Sequence, residues 1–203
     1  MRLSIDLVVK LGGSLQSRSN LRALCVSLDR SLQGMSSIVI PGGGLLADGV
    51  RNLDKLHSLD PGTAHGMALL AVDQYGLMIG SFLPRGITVK SEQEAAAACQ
   101  GGALPVLLPS SLVMKENPLP ESWDVTSDSI ACWAARRFGA KSIKILKDDL
   151  PKGAMTAEEF TEQGWLDKAF PQQFRFFDGK AWIGNGCFPE ESITGLKVIE
   201  ILR

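Results

Sequence analysis

The chain alternates short apolar runs with amphipathic stretches. Residues 3–11 form a run that is almost continuously apolar from Leu7, the pattern of a strand covered on both faces. Residues 17–32 follow with Leu21, Leu24, Cys25, Leu28 and Leu32 on one helical stripe. A second strand is predicted over 38–40, ended by Pro41, and then helices over 45–59 and 63–82. Ile87 to Val89 reads as a short strand, and Ser91 with Glu94 as a capping box opening an alanine-rich helix that stops at Gly101 and Gly102. Residues 104–108 form another buried strand, and 110–123 read as loop. A helix begins after Asp124-Val125-Thr126-Ser127-Asp128-Ser129 and ends at Gly139, with Arg136 and Arg137 in its last turn. Residues 142–146 are a strand. Beyond Leu150 the pattern weakens: a short helix over 156–165, a strand over 174–177, a helix opening at Ile193 and a last strand over 196–202. Strands alternating with helices predict an α/β fold, an open, mostly parallel sheet with helices on both faces. Ligands of such sheets sit beyond the carboxyl ends of the strands.

Composition narrows the class. The 203 residues are 45% hydrophobic and 21% charged, which suits one α/β domain over 1–203. The formal net charge is -1 and no basic run stands out, so nucleic acid and anionic membranes are not expected partners. No apolar run approaches the roughly 20 residues that span a bilayer, and no signal peptide is apparent. Cys25, Cys99, Cys132 and Cys187 show no metal-site spacing and read as free thiols, which favours a cytoplasmic protein.

The chemistry concentrates at strand ends. Leu7-Val8-Val9-Lys10-Leu11-Gly12-Gly13-Ser14 and Ser37-Ile38-Val39-Ile40-Pro41-Gly42-Gly43-Gly44 share one design, an apolar strand opening into a loop without side chains. Bare amides ahead of a helix make an anion site. Neither stretch fits the usual P-loop spacing. Gly42-x-Gly44-x-x-Ala47 matches a relaxed dinucleotide fingerprint, but the acidic residue at the end of a following strand is missing, since Asp60 lies between two helices. Lys10 is the most telling residue, because a buried lysine needs a partner or a ligand. Asp128, in the first turn of its helix, is either a dipole-compensating carboxylate or the partner that holds a lysine. His57 and His65 read as surface or satisfied histidines.

Together, Val9-Lys10-Leu11-Gly12-Gly13-Ser14, Pro41-Gly42-Gly43-Gly44 and Thr126-Ser127-Asp128-Ser129-Ile130-Ala131 resemble the amino acid kinase superfamily. The segments 124–129 and 65–68 are similar to its small branch of aminomethylfuran phosphate kinases of methanofuran biosynthesis. The resemblance implies a three-layer αβα sandwich and an ATP- and Mg2+-dependent kinase acting on a small phosphate or carboxylate. An aminomethylfuran methyl phosphate would be converted to its diphosphate. UMP or an amino acid is an alternative acceptor, and a non-catalytic nucleotide or anion sensor an alternative role. It further implies acceptor binding in 1–110, nucleotide binding in 111–203, and a homo-oligomer. Lys10, Asp128 and Lys168 would be catalytic. Gly12, Gly13, Ser14, Lys147 and Asp148 would contact the nucleotide phosphates, and Gly42, Gly43, Gly44 and Ser127 the acceptor. No residue is assigned as a metal ligand. The late glycine pair that accompanies the second lysine of the family is absent around Lys168.

Overall fold

The computed structural model describes residues 5–203. Its centre is an eight-stranded sheet. In chain order the strands are β1 (Leu7–Leu11), β2 (Ser37–Pro41), β3 (Gly86–Val89), β4 (Leu104–Leu107), β5 (Ser142–Lys147), β6 (Met155–Thr156), β7 (Lys180–Asn185) and β8 (Val198–Leu202). Across the sheet they run β3-β4-β2-β1-β5-β7-β8-β6. Every pairing is parallel except β7 with β8. The central strand β1 is flanked by β2 and β5, with Lys10 level with Ile40 and Ile145.

Nine helices among the described residues cover the sheet: α1 (Leu21–Ser31), α2 (Gly44–His57), α3 (Pro61–Phe82), α4 (Glu92–Gln100), α5 (Ser110–Glu116), α6 (Ser127–Arg137), α7 (Ala157–Glu162), α8 (Phe170–Phe174) and α9 (Pro189–Thr194). Successive side chains of a strand point to opposite faces. Leu7, Val9 and Leu11 therefore pack with Leu24 and Leu28 of α1, Tyr75 and Ile79 of α3 and Ile193 of α9. Val8 enters the opposite core with Ile130, Ala131 and Ala134 of α6 and Phe170 of α8. The same alternation sends Lys10 to the α6 side. The result is the expected α/β architecture, an open and mostly parallel sheet between two helical layers.

Several elements depart from expectation for identifiable reasons. Of the first predicted strand, residues 3 and 4 lie outside the described residues, and β1 starts at Leu7. The predicted helix over 17–32 starts later, as α1 at Leu21, and a tight helical turn at Gly13–Ser17 precedes it. The stretch read as loop after residue 110 contains α5, because Asp73 of α3 accepts the Ser110 amide at 3.2 Å and also bonds its hydroxyl. That cap lies 37 residues away, beyond the reach of a local pattern. Phe174 closes α8 rather than opening a strand. Its ring stacks on Phe170 at 5.6 Å, a helical i, i+4 contact. The strand that fills this part of the sheet is β7, and Ile193 lies near the end of α9, which opens at Pro189. At α4, Ser91 accepts the Glu94 amide, but the Glu94 carboxylate reaches back to the amide of Lys90. Thr156 and Glu159 form the complete reciprocal box, at α7. No helix of the described residues is long and apolar enough to cross a membrane, and the four cysteines are free thiols.

Candidate active site

Because Leu11 of β1 is level with Pro41 of β2, the two glycine loops leave the sheet side by side. They touch through backbone. A Cβ on Gly13 would lie 2.3 Å from the Gly44 amide nitrogen, and one on Gly42 would lie 2.3 Å from that of Gly13. Only glycine permits this approach. The Gly12 amide is spent on the carbonyl of Leu146 at 2.8 Å, so Gly12 builds the floor along with the buried Gly42. Gly13, Ser14, Gly43 and Gly44 line the cleft above. Gln16 ties the loops together by accepting the Leu45 amide at 2.7 Å.

Lys10 reaches this cleft from the strand interior. Its ammonium lies 2.8 Å from Oδ1 of Asp128, off the direction of a good hydrogen bond, and the two side chains are 6% and 4% exposed. Lys147, at the end of β5, donates to the other carboxylate oxygen at 2.9 Å. One carboxylate thus holds two ammonium groups. Burial pushes the Asp128 carboxyl up, but both ammonium charges outweigh it and hold the group down at about 2. Burial lowers the Lys10 ammonium below the ordinary lysine value, Asp128 opposes that, and the like charge of Lys147 adds to it.

A second buried carboxylate supports the first. Asp167 accepts hydrogen bonds from the Thr126 amide at 2.8 Å, the Thr126 hydroxyl at 2.8 Å and the Ser129 amide at 2.9 Å, and it bonds the Ser129 hydroxyl. It therefore pins the start of α6, where Ser127 and Asp128 face the cleft. Burial raises its carboxyl above the usual carboxylate range, and the nearby Asp128 charge adds to that. The segment 164–168 contributes to the site through Asp167, not through Lys168. The Lys168 side chain is 76% exposed, pairs with Asp124 at 3.2 Å, and lines a separate surface groove with Glu158 and Arg175. The second lysine of the cluster is Lys147, which meets Asp128 because β5 is the direct neighbour of β1. The Asp148 carboxylate turns outward to Arg18 at 3.0 Å.

The cleft encloses about 310 Å³. Sequence reasoning missed its far wall, formed by Asp48 and Arg51 of α2, His65 of α3, and Trp123. Arg51 pairs with Asp48 at 2.7 Å and stacks 4.9 Å over the Trp123 ring. The helical spacing of Asp48 and Arg51 behind the Gly42–Gly44 loop was the available signal. His65 is not an idle surface residue, since it lines the cleft with a buried Nε2 that has no partner. Among the described residues no group of three or more His, Cys, Asp or Glu side chains converges as a metal cage. The cleft instead offers ammonium groups, glycine amides and a helix N-terminus, a set suited to phosphate oxygens and to Mg2+ carried on them.

Comparison with known proteins identifies the family. A sequence model described as the amino acid kinase family matches residues 7–149. The [5-(aminomethyl)furan-3-yl]methyl phosphate kinase of Methanocaldococcus jannaschii is 24% identical over 97% of this chain and 92% of its own. The uridylate kinase structure of Archaeoglobus fulgidus superposes with a TM-score of 0.73 at 15% identity, covering 98% of this chain and all of that one. The UMP kinase of Ureaplasma parvum gives 0.75 at 14%, covering 98% and 97%. With its family match running from the lysine-bearing strand through Lys147, this chain belongs to the amino acid kinase family and is an ATP-dependent phosphotransferase.

Proposed function

We propose that the protein transfers the γ-phosphoryl group of ATP to a small phosphorylated acceptor, an aminomethylfuran methyl phosphate, giving its diphosphate. The observation that carries this reading is the Lys10–Asp128–Lys147 cluster at the meeting point of two side-chain-free loops. The similarity over nearly the whole chain to a kinase of that phosphate supports the acceptor class.

ATP supplies the phosphoryl group, and Mg2+ offsets the charge of its oxygens. The chain's own part is placement and positive charge, which is most of what this reaction requires. A phosphate acceptor is already ionised, so no general base is needed to activate it. Lys10 and Lys147 present ammonium charge to oxygens on which charge develops in the transition state. Asp128 stays ionised and fixes both ammoniums, acting as a positioning group rather than a base. The amides of Gly13, Gly43 and Gly44 and the start of α6 at Ser127 cradle the phosphates. We assign acceptor binding chiefly to residues 1–110 and nucleotide binding chiefly to 111–203, with Ser14 and Lys147 on the nucleotide side.

The test is product formation with ATP and Mg2+ against a panel of the furan phosphate, UMP, carbamate and free amino acids, read by phosphorus NMR. A new diphosphate signal with the furan phosphate, at the highest kcat/KM of the panel, is expected. A preference for UMP or for a carboxylate would replace the acceptor, and ATP turnover with none of them would remove the kinase reading.

A further inference from the structure

A second hollow, of about 250 Å³, adjoins the cleft, and His65, Ala68, Trp123 and Val125 are walls of both. The first has a mixed lining, Lys10, Arg51 and Lys147 against Asp48 and Asp128, whereas the charged lining of this one is acidic. Asp54 and Glu121 line it, and no lysine or arginine among the described residues does. Asp54 is already committed, accepting the Trp123 indole N–H at 2.6 Å and the Leu59 amide at 3.1 Å. Glu121 is in no ion pair among the described residues. His65, on the shared wall, has a buried Nε2 without a hydrogen-bond partner. Such an atom is costly unless a ligand group meets it. Burial lowers the His65 imidazole, and the Glu121 charge nearby offsets this in part, so His65 does not cancel the acidic character of the wall at neutral pH.

We propose that this hollow is the subsite for a protonated primary amine on the acceptor, with Glu121 receiving the ammonium and Trp123 flanking the ring that carries it. The inference rests on the acceptor reading given above. Adjoining hollows of opposite net charge suit a small molecule with a phosphate at one end and an amine at the other. They also impose a direction: a reversed molecule would set its phosphate against Glu121 and its ammonium against Lys10. A neutral pyrimidine has no ammonium to offer Glu121.

The test compares two acceptors with ATP and Mg2+ on the full chain, the aminomethylfuran methyl phosphate and an analogue bearing methyl in place of aminomethyl. The wild type is expected to favour the amine by about tenfold or more in kcat/KM, as a charge-assisted hydrogen bond provides. Glu121→Gln should abolish most of that preference by raising KM for the amine acceptor alone, with kcat retained. Its exposed position favours an intact fold, checked by thermal melting. Equal use of both acceptors by the wild type, or a preference that survives Glu121→Gln, overturns the amine subsite and leaves the kinase reading standing. Turnover of neither furan phosphate overturns the acceptor assignment and the subsite with it.

Discussion

Two aspartates of one short segment, Asp124 and Asp128, each meet a lysine at nearly the same distance. Asp128 lies 2.8 Å from Lys10, and Asp124 lies 3.2 Å from Lys168. Their surroundings differ completely. The first pair is 6% and 4% exposed on the Lys10 and Asp128 sides, whereas Lys168 and Asp124 are 76% and 56% exposed. In water the attraction at such a distance is about 1 kcal/mol, and it rises several-fold where water is excluded. Burial also imposes a desolvation penalty that a lone pair rarely offsets. A second ammonium on Asp128, from Lys147, offsets more of it. An arrangement this costly for stability is the one to associate with function, and the surface pair is not.

The sharpest way to break the contrast is Asp128→Asn. It leaves two ammonium groups buried or half-buried without their counter-charge, so folding stability should fall by about 3–5 kcal/mol. Urea unfolding measures this, and a loss no larger than that of an exposed Asp124→Asn would erase the distinction. Next comes Lys10→Ala. Asp128 keeps Lys147 at 2.9 Å, so the fold should survive while turnover drops on the order of 100-fold or more. Near-normal turnover in a folded variant removes Lys10 from the mechanism.

Acid sharpens the comparison further. The Asp128 carboxyl is held at about 2 against an ordinary value of 3.8, so the unfolded chain takes up its proton first as pH falls. This contribution, about 2 kcal/mol, is present above about pH 4 and is lost as pH drops toward 2. The stability gap between wild type and Asp128→Asn should narrow across that window, and a gap independent of pH would contradict the depressed carboxyl. The smallest expected effect is that of Lys168→Ala. An exposed pair is worth about 0–1 kcal/mol, and turnover should be unchanged. A large fall in kcat would return Lys168 to the active site.

Much of the site was legible because its chemistry sits where local pattern is strongest. A lysine ending an apolar strand before glycines is visible without any partner in view. So is an aspartate in the first turn of a helix with a threonine cap. Lys147 was legible as a strand-end phosphate contact, but its sharing of Asp128 with Lys10 depends on β5 lying beside β1, and the exposure of Lys168 depends on the tertiary fold. Asp167 went unrecognised because its partners, Thr126 and Ser129, lie 41 and 38 residues earlier. The glycine loops were read as anion cradles. The structure adds that Gly13 and Gly42 are required by each other, since neither loop could approach with a Cβ present.

The chain alone determined an alternating α/β order, the strand tips that carry glycine, and the burial of Lys10, since these depend on periodicity and on residues with unusual backbone or solvation demands. Tertiary structure decided which lysine joins Asp128, which carboxylate braces α6, and how Arg51, His65 and Trp123 wall the rest of the cleft, with Glu121 in the hollow beside it. Those choices depend on strand order and on contacts between residues distant in sequence. Short-range spacing does not encode such contacts, because the free energy of a charge is set by the groups and the water that folding leaves around it.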